Sequence, residues 1–222
     1  MTDIGLIYAS VRERLSNLVR NLSQEEAVTR VPACPDWSVH DTLAHLVGVV
    51  TDVSSGNLDG AGEDRWTAAQ VDARRDVTIT EMLDEWAQGS PGFEDGIRAF
   101  GGVMAQASVA DAWNHEQDIR GALGVMGGRD LGTELASLEG YIGLRAANFA
   151  DLAPLKFNAG ETIFSTGDGE PGATVTAEPF ELARMMCGRR TTAQMRSYGW
   201  DGDPEPYIAV LAKDSPPIAL PC

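Results

Sequence analysis

Apolar residues recur every three or four positions through the first two-thirds of the chain. Ile4, Ile7, Tyr8, Val11, Leu15, Leu18 and Val19 keep that spacing, which predicts an amphipathic helix over about residues 4–21. Ser23-Gln24-Glu25-Glu26 has the form of a capping box and opens a short helix. Pro32, Pro35 and Trp37 then mark an irregular connector. Ser38-Val39-His40-Asp41 is a second capping signature, and the helix it opens is expected to run to about Val53 on an apolar face of Val39, Leu43, Leu46, Val47 and Val50. Ser54 to Asp64 is rich in Gly and Asp and reads as a loop. Thr78-Ile79-Thr80-Glu81 caps a further helix with Met82, Leu83 and Trp86 as its apolar contacts. Gly89-Ser90-Pro91-Gly92 is expected to break that helix or to separate two. Helices follow over about residues 103–123, with Gly124 as C-cap, and over about 131–152.

The period changes near Pro154. Phe157, Ile163 and Phe164 form a β-like run, the turn cluster Thr166 to Gly172 follows, and Ala173-Thr174-Val175-Thr176-Ala177 reads as a strand, so a hairpin is expected around Gly167 to Gly172. Pro179 opens a helix with Phe180, Leu182, Ala183, Met185 and Met186 on its apolar side, and the Pro-rich tail reads as extended. The fold class is therefore mainly α, with a helical bundle over residues 1–153 and a small C-terminal α+β piece over 154–222.

Composition narrows the functions. With 43% hydrophobic and 23% charged residues, 222 residues can bury a sizeable core. No apolar run approaches the ~18–20 residues of a membrane helix. The opening Met1-Thr2-Asp3-Ile4-Gly5 has no basic or apolar leader, so a cytoplasmic location is expected. A net charge of −16 repels phosphate backbones and anionic membranes, which argues against nucleic-acid or membrane partners. Cys34, Cys187 and Cys222 form no CxxC pair and no disulfide framework. Nothing in the pattern decides the oligomeric state.

Of the three histidines, His115 is the informative one. Asp111 and His115 are four apart on an expected helix, about 40° apart around its axis. They share a stripe with Met104, Ala107, Asp118, Ile119 and Ala122, while Glu116, Gln117 and Arg120 occupy the opposite face. A carboxylate on a core-facing stripe requires a partner, and a metal is one solution; a structural Asp–His couple is another. His45 is the candidate third ligand, although it sits roughly 140° from the centre of its own helix's apolar stripe. His40, in the first turn of that helix, reads as a surface residue.

At these residues the chain resembles a known family. Val31-Pro32-Ala33-Cys34-Pro35-Asp36-Trp37-Ser38-Val39-His40-Asp41-Thr42-Leu43-Ala44-His45-Leu46 is similar to the "CPGW-T-V-x-D-x-x-x-HL" signature of mycothiol-dependent maleylpyruvate isomerase-like proteins, members of the DinB-like superfamily. Asp36 stands where that signature often has Gly. Asp111 to Gly124 is similar to the second signature, an acid or His four residues before a His. Pro179-Phe180-Glu181-Leu182, Gly188-Arg189-Arg190 and Trp200-Asp201-Gly202-Asp203-Pro204 resemble its C-terminal "P-x-E-L … GRR … W-x-GD" pattern.

The resemblance implies an up-down four-helix bundle that holds a divalent metal, usually zinc. Carried over by motif, its ligands are His45, Asp111 and His115. Three protein ligands leave a position for water, substrate or thiolate. It further implies a low-molecular-weight thiol, mycothiol, as cofactor and a small electrophile as substrate, in an isomerase or thiol S-transferase. A zinc-hydroxide hydrolase on the same site, or a non-catalytic metal-binding module, are the alternatives. Arg120, Arg189 and Arg190 are candidates for binding a substrate carboxylate. Cys34 reads as a packing cysteine before a reactive one.

Overall fold

A computed structural model describes residues 3–221. The chain is mainly helical and carries a small sheet in its C-terminal third. Its elements are α1 (Ile4–Val19), α2 (Gln24–Ala27), β1 (Arg30–Val31), β2 (Cys34–Ser38), α3 (Val39–Ser55), α4 (Asp64–Ala73), α5 (Ile79–Phe100), α6 (Gly102–Leu123), α7 (Leu131–Arg145), β3 (Leu155–Ala159), β4 (Thr162–Ser165), β5 (Ala173–Thr176), α8 (Pro179–Met186), α9 (Thr192–Arg196), β6 (Gly199–Gly202) and α10 (Glu205–Leu211). They group into two compact bodies. One holds residues 3–100, 115–128 and 221, the other residues 101–114 and 129–220.

In the first body the helix starts follow the sequence closely. Ser23 with Glu26 and Ser38 with Asp41 form reciprocal capping boxes at α2 and α3. Thr78 and Glu81 exchange the same pair of bonds at the start of α5. Helices α1 and α3 both pack on α5, and α4 packs on α3. The core there is built from Val11, Leu15, Leu43, Leu46, Val47, Met82 and Trp86, each at most 2% exposed. Trp86 donates its indole N–H to the Tyr8 hydroxyl at 3.2 Å, which satisfies the one polar atom that ring buries.

Three expectations are corrected here, and one helix was not anticipated. The connector is a β-ribbon: β1 and β2 pair antiparallel, Arg30 opposite Ser38 and Val31 opposite Cys34, with a bulge between. Asp36 fits that ribbon without a left-handed backbone, because no described non-glycine residue has positive φ. Pro91 does not break α5, which runs unbroken past it; the Ser90 hydroxyl bonds the Trp86 carbonyl at 2.6 Å just upstream. Helix α4 goes unanticipated, because its buried face is Trp66, Gln70 and Arg74 at four-residue spacing rather than aliphatic. The Glu116 face of α6 is not exposed: Glu116 and Gln117 are buried, and Met104 on the supposed inner stripe is exposed.

In the second body α7 packs on α8, and α8 packs on β3. The sheet has the order β4-β3-β5-β6. The expected hairpin across Gly167 to Gly172 is not formed. Instead β3 turns directly into β4 through Gly160-Glu161, with Gly160 at a φ of 67° that a side chain disfavours. The 167–172 segment carries the chain across β3, so β5 pairs with β3 in parallel. β6 then closes the far side antiparallel to β5. Helix α7 ends in a 3-10 turn, Ala146–Phe149, and the tail forms α10 before it becomes irregular.

Candidate metal centre

Helix α3 carries His45, and α6 carries Asp111 and His115. The His45 and His115 rings stand edge to face with centroids 5.3 Å apart. Trp37, at the end of β2, lies 5.1 Å from the His45 ring and 6.0 Å from the His115 ring. Since α6 is one continuous helix, Asp111 is fixed one turn upstream of His115 by the helix itself. One ligand atom each from His45, Asp111 and His115 lie within 4.8 Å of one another. Both histidines are buried and Asp111 is half-buried.

His45 is oriented from behind. Its Nδ1 lies 2.8 Å from Gln70 Oε1, and Gln70 Nε2 donates to Asp52 Oδ2 at 2.7 Å. The carboxylate can only accept, so the Gln70 amide nitrogen faces Asp52 and its oxygen faces His45. His45 Nδ1 therefore carries the proton, and the lone pair that could ligate an ion is on Nε2. Gln70 comes from α4 and is 2% exposed. It can lie this close to α3 because residue 48 is glycine: a Cβ there would fall 2.5 Å from the Gln70 Cβ. Arg74, four residues on, anchors α4 by bonding Glu85 on α5 and Thr51 on α3. On α6, His115 Nδ1 lies 3.4 Å from Asp118 Oδ2, and Asp118 is 2% exposed.

The roll of candidates changes accordingly. His45, Asp111 and His115 come together, and Gln70, Asp52 and Asp118 are additions. His40 stays apart: its Nε2–H donates to the Val77 carbonyl at 2.7 Å. Arg120 holds the fully buried Glu116 carboxylate from 2.9 Å, with Arg14 on the same group. Arg190, 1% exposed, is bound by both oxygens of Glu181. Arg189 donates to the Cys187 carbonyl at 3.1 Å. One signal for Gln70 was present in the sequence, a glutamine four residues after Trp66, beyond the Gly- and Asp-rich loop.

The donor set fits a divalent metal, since two imidazoles and a carboxylate in a mostly buried site are a familiar zinc combination. No described helix is long and apolar enough to cross a membrane. No curated protein and no solved structure matches the chain. A family model described as the mycothiol maleylpyruvate isomerase N-terminal domain does match, over residues 8–120. That stretch covers just over half of the chain and includes all three carried-over ligands, so the chain belongs to the mycothiol maleylpyruvate isomerase N-terminal domain family.

Proposed function

We propose that this protein is a divalent-metal-dependent enzyme that uses a low-molecular-weight thiol, mycothiol, against a small electrophile, as an isomerase or S-transferase. His45, Asp111 and His115 hold the metal, and zinc is the ion the donors suit best. In this reading α1, α3, α5 and α6 form the up-down bundle of the family. The observation that supports it is the convergence of those three ligand atoms within 4.8 Å.

A metal bound there stabilises an anionic ligand, so that a thiol ionises near neutral pH. The chain's own residues supply the rest. Gln70, held by Asp52, keeps the proton on His45 Nδ1 and Nε2 turned to the ion. Asp118 Oδ2 lies 3.4 Å from His115 Nδ1, on the side of that ring turned to Asp118. The Trp37 ring beside both imidazoles limits water at the centre. A substrate carboxylate taken by Arg120 or Arg190 would have to displace or share Glu116 or Glu181.

The test is metal content with thiol-dependent turnover on a panel of conjugated and displaceable electrophiles. Purified protein is expected to bind an ion at this centre, and His45→Ala to lose that ion without loss of helix content. Turnover is expected only with added thiol. Full turnover without any thiol would overturn the thiol reading in favour of hydrolysis, and metal binding unchanged in His45→Ala would overturn the site.

A further inference from the structure

His115 belongs to a second group of possible ligands. Cys34 on β2, His115 and Asp118 each offer one atom, and these atoms also lie within 4.8 Å of one another. Neither Cys34 nor Asp118 is part of the His45 group; only His115 is common. The nitrogen that His115 turns toward Asp118 is Nδ1, at 3.4 Å from Oδ2. We propose that Cys34, His115 and Asp118 form a second cation position beside the first, for a thiophilic divalent ion such as zinc or cadmium.

Two features support this. The donors are a sulfur, an imidazole and a carboxylate, a set that suits zinc and cadmium and disfavours magnesium or calcium, which take oxygen ligands. An ion held by His115 Nδ1 displaces any proton from that nitrogen. The second feature is access. Cys34 is only half-buried, on a bulged two-stranded ribbon, so an ion can reach the sulfur from solvent. The ribbon is the connector ahead of α3, so its pairing sets where the sulfur sits relative to α6.

Cobalt titration of the full-length protein tests it, because cobalt reports its ligands where zinc is silent. Sulfur ligation gives an intense thiolate-to-cobalt charge-transfer band in the near ultraviolet; nitrogen and oxygen ligation gives only weak visible bands. The unaltered protein is expected to show the charge-transfer band. Cys34→Ser and Cys34→Ala are expected to lose it while keeping visible bands from the His45 group. His45→Ala is expected to retain it, and His115→Ala to lose both signals. Cobalt uptake without the band overturns the proposal and leaves the first site standing. So does a band that survives Cys34→Ser, which assigns it to another cysteine. A band lost in His45→Ala puts the sulfur on the same ion as His45 and overturns a separate position. A band that survives His45→Ala, with no visible bands in Cys34→Ser, sustains this position and removes the first.

Discussion

Gln70 is the residue on which the chemistry of His45 turns. Its amide oxygen favours the tautomer that carries the proton on Nδ1. Gln70→Leu removes the acceptor for Nδ1–H but no ligand, and it is expected to weaken metal binding by about 10–100-fold. Competition against a chelator measures this; an unchanged affinity would show that His45 needs no orienting partner. Gly48→Ala approaches the same contact from the other side, since its methyl would collide with Gln70. Its loss of affinity should follow that of Gln70→Leu. His45 also shows where the sequence ceased to be readable. It sits well off the apolar stripe of α3, yet it is 4% exposed. The reason is α4, which covers that side of α3 and could not be foreseen from a face made of Trp66, Gln70 and Arg74. Asp111 and His115 were legible because their proximity is a property of one helix.

At the scale of elements, buried charge joins what apolar spacing alone does not. Glu116 has no solvent exposure and takes Arg14 from α1 and Arg120 from its own helix. A helical period assigns it to the outer face of α6, and only the ion pairs explain why it can be inside. Glu116→Gln removes the buried carboxylate that Arg14 and Arg120 share and is expected to destabilise the protein by about 3 kcal/mol, the low end for a broken buried pair, because the Arg14 side chain remains 24% exposed. Urea unfolding measures it, and a loss below about 1 kcal/mol would mean that the pair is nearly neutral to the fold.

Helix α8 offers a pH-dependent counterpart. Burial pushes the Glu181 carboxyl up, but its contact and charge pairing with Arg190 and the bond from the Tyr198 hydroxyl outweigh this and hold it below the ordinary glutamate value. A carboxyl lowered on folding contributes stability that is fully present above its unfolded pKa and lost as pH falls through the folded one. Acidification below the usual glutamate range should therefore lower the urea midpoint, and Glu181→Gln should flatten that dependence. An equally steep acid limb in the variant would place its origin elsewhere. The Tyr198 hydroxyl is correspondingly hard to ionise: its burial and the Glu181 charge both raise its pKa. The sheet behind α8 shows a different kind of illegibility. β5 was recognisable in the sequence, whereas β3 and β4 read as one β-like run and β6 was not anticipated. The parallel pairing of β3 with β5 depends on which edge the 167–172 turn crosses, and strand composition does not encode that.

For the whole molecule, the proposed metal positions are expected to make stability depend on metal. An ion that binds only the folded chain stabilises it by about 2.7 kcal/mol at one hundred times its dissociation constant. For a chain of 222 residues that corresponds to a rise in melting temperature of roughly 5–10 °C. The sequence carries 33 acidic residues against 17 basic ones, so cations also gather non-specifically around it and screen its self-repulsion. The comparison must therefore separate ligation from screening. Zinc in slight excess at fixed ionic strength is expected to raise the melting temperature, and a chelator to reverse the rise. Magnesium at the same concentration, which screens equally but does not favour imidazole or thiolate, should leave it nearly unchanged. His115→Ala removes the one residue common to both groups and is expected to abolish the zinc response, whereas His45→Ala and Cys34→Ser should each keep part of it. If zinc stabilised His115→Ala as much as the unaltered protein, the acidic surface would be its binding site, and the metal centre proposed on His45, Asp111 and His115 would have to be abandoned.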